Sequence, residues 1–167
     1  MGSQRAKSTS RIRLMIALSG AIWLAVGFFL LSKGVGLVAD LLQTPLGSTT
    51  LPALVPLTHW LGEPKNAIVA LTALAGLIGS IKGRTILEKV ANREVARLRL
   101  LVSPAFWQLY SPRQLLLIPL MISFGILLRY FNAPIDIRAF IQMTIGVALI
   151  RGSISYFRQI SPLVTGA

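Results

Sequence analysis

The sequence predicts an all-α integral membrane protein with four transmembrane helices. Three observations carry that class. Charged residues make up 13% of the 167-residue chain, where a soluble domain carries about a quarter. Hydrophobic residues reach 54%, and the mean hydropathy is +0.70. The apolar excess is gathered into charge-free blocks, the pattern of segments that have lipid as solvent.

The blocks locate the spans. Between Arg13 and Lys33 lie 19 uncharged residues, close to the roughly 20 a helix needs to cross the hydrocarbon core. The first span is therefore 14–32. Its length exceeds the apolar core of a signal peptide, and no small-residue cleavage site follows, so it is expected to stay in place. The second span, 64–83, opens at Pro64 and holds the 16 uncharged residues between Lys65 and Lys82. The third, 114–130, holds the 15 between Arg113 and Arg129, with a kink expected at Pro119. The fourth, 134–157, opens at Pro134 and holds only the 12 between Arg138 and Arg151. Proline suits the first helical turn, and Asn132 is positioned as a cap. The short gaps fit re-entrant helices, or spanning helices whose flanking bases snorkel to the headgroups; apolar residues beyond Lys82 and Arg151 favour spanning.

Charge sets the orientation. The basic tail 1–13 and the 82–113 segment are rich in Lys and Arg, whereas the 33–65 and 129–138 loops balance bases with Asp40, Glu63 and Asp136. Positive charge marks the cytoplasmic side. Both termini, including the tail 158–167, are therefore expected inside a cytoplasmic membrane of the bacterial inner-membrane type. Residues 34–63 form an external loop with a short helix over 35–42, and Trp60 lies at headgroup level. The 82–101 stretch continues the second span as a basic amphipathic helix: Lys82, Lys89, Arg93 and Arg97 on one face, Leu87, Val90, Ala91, Leu98 and Leu101 on another. The 104–112 stretch reads as an interfacial turn with aromatic anchors.

Two internal patterns concern packing. Gly27 before Lys33 resembles Gly125 before Arg129, and Pro64 to Lys82 resembles Pro134 to Arg151. The spans then read as two tandem helical hairpins in parallel orientation. On the second span Ala75, Gly79 and Gly83 recur every four residues, as do Thr72, Gly76 and Ser80. Such small rows let another backbone approach, within the monomer or between copies.

The composition excludes much chemistry. No Cys removes disulfides and thiol catalysis, and a single His removes a His cluster. No acid lies in a charge-free block, which disfavours proton or cation coupling. Ser19, Thr72, Ser80, Ser123, Gln142 and Thr144 in the spans are expected to bond their own or a neighbouring helix. His59 near Glu63 could form an acid–base pair, but no nucleophile motif accompanies it and an interfacial His is the better reading. Lys82, Arg84 and Arg151, next to Gly or Ser at the inner ends of spans two and four, are candidates for an anion or lipid headgroup, against simple snorkelling. No metal site, cofactor or nucleic-acid partner is expected. The partners expected are anionic lipid and other membrane subunits or further copies of the chain. The leading function class is an accessory, scaffold or assembly subunit without enzymatic activity; the alternatives are an oligomeric channel or transporter for an anionic solute or lipid, and an intramembrane lipid-modifying enzyme.

Overall fold

The computed structural model describes residues 2–43, 51–100, 123 and 125–159, and among these there is no strand. The elements are α1 (Gly2–Gln43), α2 (Leu54–Leu61), α3 (Pro64–Lys82), a π turn (Gly83–Leu87), α4 (Glu88–Leu100), a helical segment over 125–130 (α5) and α6 (Ile135–Arg158). Three stretches are long and apolar enough to cross a membrane: Ile12–Gln43, Pro64–Arg93 and Ile135–Arg158. The shortest has 24 residues, about 36 Å at roughly 1.5 Å per residue, which exceeds a hydrocarbon core of about 30 Å. The chain is thus an all-α membrane protein. Of the expected third span, 114–130, only 123 and 125–130 fall within the described residues, and they are helical. Pro119, the 104–112 stretch and 160–167 lie outside them.

Helix boundaries depart from the charge gaps in two places. The expected loop from 34 is in fact the last part of α1, which runs unbroken through Lys33, Gly34 and Gly36 to Gln43. The stretch 35–42 is therefore no separate helix. Lys33 does not end the helix because its stem folds along it, with the ammonium 5.7 Å from the Phe29 ring centroid. Gly34 does not break it because it is buried against α6. At the other end the basic tail belongs to the same helix, which begins at Gly2. Likewise α6 continues through both Arg138 and Arg151.

The packing is organised around α6. One of its faces meets α1 in antiparallel contact through glycines spaced seven apart. A Cβ on Gly20 would lie 3.0 Å from Tyr156 Cβ; on Gly27, 3.0 Å from Gly146 O; on Gly34, 2.5 Å from Met143 Cγ. A seven-residue period keeps one stripe facing a partner as two helices wind around each other. The other face meets α3. A Cβ on Gly79 would lie 2.5 Å from Thr144 O, and one on Gly83 2.7 Å from Arg151 Cβ. Residue numbers rise together along this second contact, so α3 and α6 run parallel. Contacts between α1 and α3 are few, so the expected first hairpin is not a packed unit. Both of its members lean on α6 instead.

Two apolar clusters fill the bundle. At one end Ile16, Trp23, Ala91, Leu149 and Tyr156 pack together, with the Trp23 and Tyr156 rings 5.7 Å apart and tilted by 55°. Leu87 and Val90 join this cluster. The apolar face of α4, expected to rest on lipid, is thus laid partly on the bundle: Ala91 has no exposed surface. The π turn sets the position of α4 after Gly83, and Leu87 comes to rest on Gly152, whose Cβ would lie 2.8 Å from Leu87 Cβ. Gln159 Nε2 donates to Asn92 Oδ1 at 2.6 Å and ties α4 to the end of α6.

At the opposite end Leu41, Leu51, Leu54, Ala67, Ile68, Leu71 and Ala139 form the second cluster. Here α2 caps the bundle. It ends at Gly62, whose φ of 72° suits glycine, and Pro64 then opens α3 at its first turn. Asn132 is not the cap of α6. It adopts a positive φ of 48° and its N–H donates to Arg129 O, closing the turn after α5, while Pro134 occupies the cap position of α6.

Candidate functional site

Two groups of polar residues stand out, one at each end of the bundle. The first comprises the bases singled out from sequence. Gly83 presses against the Cβ of Arg151, so the end of α3 meets α6 about two turns before α6 ends, with Lys82 and Arg84 flanking the contact on α3 and the π turn. Lys82, Arg84 and Arg151 are all exposed, as are Lys89 and Arg93 on α4. These five bases form a cationic band around one end of the protein. Of the small residues, Ala75, Gly79 and Gly83 are buried, the two glycines against α6, whereas Thr72, Gly76 and Ser80 are half-buried, and a Cβ on Gly76 would meet nothing within 4 Å.

The second group lies toward the opposite end and was not assembled from the sequence. A groove of about 860 Å³ opens between α1, α5 and α6. Trp23, Val26, Leu30 and Leu149 form its apolar part, and Lys33, Asp40, Arg129, Arg138 and Gln142 lie along its other part. Two polar atoms of this wall, Arg138 Nε and Gln142 Oε1, are buried without a hydrogen-bond partner. Thr144 meets the expectation for polar residues in spans by donating to Phe140 O at 2.8 Å; Gln142 departs from it. The sequence signal that was available is the spacing Ile22, Val26, Leu30, Lys33, Leu37, Asp40. Steps of three and four residues put all six on one face of a single helix that changes from apolar to charged along its length.

Asp136, in the sequence only an acid of the 129–138 loop, has a defined place in the fold. It has no exposed surface. Its Oδ2 accepts the N–H groups of Ala53 at 2.7 Å and Leu54 at 3.2 Å, and its Oδ1 accepts that of Ile137 at 2.8 Å. One carboxylate thereby accepts N–H groups at the starts of both α2 and α6, that of Leu54 being shared with Leu51 O at 3.0 Å, where helix dipoles favour a negative charge. Asp136 is a structural clamp with its acceptor capacity in use.

His59 and Glu63 are both exposed at the end of α2, and Trp60 beside them is 88% exposed. Among the described residues no three His, Asp or Glu side chains gather as a metal ion would require. No protein-family model matches the chain, and no curated protein or solved structure matches it either.

Proposed function

We propose that this is a multi-pass accessory or assembly subunit of a membrane complex, without chemistry of its own, held against anionic lipid by the bases at one end. The observation that carries this reading is the exposed band of Lys82, Arg84, Lys89, Arg93 and Arg151 around the end where α4 docks. A base near an anionic leaflet contributes about 1 kcal/mol, so five outward bases make a substantial electrostatic anchor. Docking of Ala91 and Leu87 on the bundle supports it, since the bases of α4 are thereby held at a fixed height.

We further propose four spans with both termini cytoplasmic. The support is directional. Because α3 and α6 run parallel, the chain between them has to return across the membrane once. With the band on the cytoplasmic side, the α2 cap is external. The chain has no native Cys, so single-cysteine labelling reads this directly. Arg5→Cys and Arg97→Cys should react only from the cytoplasmic side, and Thr50→Cys and Ala133→Cys only from outside. Labelling of position 97 from outside would overturn the topology.

The functional reading is tested by extraction in a mild detergent from the native membrane. A stoichiometric second polypeptide, lost at high ionic strength or harsher detergent, is the expected result. Recovery of the chain alone, as a homo-oligomer that passes an anionic solute across liposomes, would replace the accessory reading with the channel or transporter alternative. Within either outcome, Lys82→Gln and Arg151→Gln should weaken association with vesicles containing anionic lipid, and added salt should mimic them.

A further inference from the structure

The groove between α1, α5 and α6 has a charge gradient along it. On α1 its lining runs from Ile22, Trp23, Val26 and Leu30 to Lys33 and then Asp40. On the antiparallel α6 it runs the matching way, from Leu149 to Gln142 and Arg138, and Arg129 of α5 stands beside the charged end. We propose that this groove holds one anionic phospholipid of the leaflet that the C-terminal half of α1 crosses. Its phosphate sits among Lys33, Arg129 and Arg138, and an acyl chain lies along Trp23, Val26 and Leu30.

Three features point to that occupant. The first is length. From Trp23 to Lys33 is ten residues, about 15 Å of helix, which equals half of a hydrocarbon core of about 30 Å. The apolar part is thus about as long as one leaflet is deep, so an acyl chain can lie along it with its phosphate at the bases. The second is charge: among the described residues that line the groove, three bases, Lys33, Arg129 and Arg138, accompany one carboxylate, Asp40. The third is the set of polar side chains on α6: Arg138 and Gln142, one turn apart on the same face, both line the groove and carry N–H donors suited to phosphate and headgroup oxygens. A soluble anion would answer only the charged end. The groove volume of about 860 Å³ lies within the roughly 300–1,000 Å³ typical of small-molecule sites.

The charged end of the site, at Lys33, Arg129 and Arg138, lies away from the cationic band, while its apolar end reaches Trp23, which packs beside Gly152 next to Arg151. The test uses the full chain in a neutral maltoside micelle, with bound lipid counted by native mass spectrometry. Phosphatidylglycerol should be retained at one tightly held molecule per chain. Phosphatidylcholine with the same acyl chains, and glycerol phosphate, which has the headgroup anion without a tail, should each bind at least about tenfold more weakly. Arg138→Gln and Arg129→Gln should each weaken phosphatidylglycerol roughly tenfold. Gly36→Phe supplies a steric version without touching charge: Gly36 lines the groove, and a Cβ there would meet nothing within 4 Å, so the ring enters open space and excludes the lipid. Lys82→Gln should retain the tight lipid. Equal binding of phosphatidylcholine and phosphatidylglycerol would overturn the proposal, as would glycerol phosphate binding as tightly as the lipid. So would tight binding that survives Gly36→Phe and Arg138→Gln but is lost in Lys82→Gln, because the lipid would then be at the band.

Discussion

Gly146→Leu is expected to unfold the bundle more readily than any other single apolar substitution in the spans. A Cβ at Gly146 would lie 2.7 Å from the backbone N of Leu31 and 2.9 Å from Gly27 O. Both obstacles are backbone, so no rotamer change relieves them, and α1 has to move away from α6. Overpacking costs about 1–3 kcal/mol where side chains can yield, and Gly146→Leu should meet or exceed the upper end of that range. The effect should propagate, because Gly20, Gly27 and Gly34 all depend on the same close approach. Gly79→Leu comes next, since its Cβ would meet Thr144 O at 2.5 Å but only the smaller α3–α6 interface is at stake. Gly76→Leu, with nothing within 4 Å, should shift stability by no more than about 0.5 kcal/mol. Thermal unfolding of the three variants in one detergent gives the order. If Gly146→Leu melts with Gly76→Leu, the α1–α6 interface is not the main contact.

Charge gaps in the sequence locate helices well but read their ends badly, and the reason is physical. A gap measures where charges begin, whereas a helix ends where its backbone hydrogen bonds end. Lys33 is compatible with both helix and lipid, so α1 runs ten residues beyond it to Gln43. Packing partners were harder still. The four-residue rows of α3 are local patterns, and the buried members Ala75, Gly79 and Gly83 belong to one of them. The seven-residue row of α1 is equally present in the sequence, where Gly27 also resembles Gly125. Nothing local distinguishes a glycine that meets another helix, as Gly27 does, from one that meets nothing, as Gly36 does. That distinction depends on which face α6 occupies, and α6 lies more than a hundred residues away.

The same limit applies to the sites. Lys82, Arg84 and Arg151 were visible as bases at helix ends, and the fold brings α3 and α6 together there because Gly83 admits the Cβ of Arg151. Lys33, Arg129 and Arg138 carry the same chemistry, but in the sequence they stand out only as charges that bound the apolar stretches. What the sequence does not contain is the space between them. A cavity is made by the failure of three helices to fill a volume, and no residue records it. Gln142 illustrates the point: a glutamine in an apolar helix ordinarily has a bonding partner nearby, and only the fold leaves its Oε1 buried and unpaired.

Asp136→Ala should detach the α2 cap while leaving the three long helices in place. The carboxylate is fully buried and accepts three backbone N–H groups, from Ala53, Leu54 and Ile137. Removal leaves the Ala53 N–H without an acceptor beneath Leu51 and Leu54, themselves buried in the second cluster, while the Leu54 N–H keeps its bond to Leu51 O at 3.0 Å. Bonds to a charged group contribute about 1.5–3 kcal/mol, and orphaned buried donors cost about 1–3 kcal/mol, so a loss of roughly 3 kcal/mol is expected. Asp136→Asn sharpens the assignment. The amide keeps one oxygen, but its NH₂ has to face either the Ala53 and Leu54 pair or the Ile137 N–H. Donor then opposes donor in one direction whichever way the group is turned, so Asn should recover only part of the loss. Hydrogen exchange reads the location. In Asp136→Ala the amides of 53–61 should exchange much faster, while those of α6 beyond its first turn keep their protection, because the α1–α6 contact does not involve this carboxylate. Uniform loss of protection across α1, α3 and α6 would instead make Asp136 a requirement of the whole bundle. Unchanged protection at 53–61 would mean the apolar contacts of Leu51, Leu54 and Leu57 hold the cap without it.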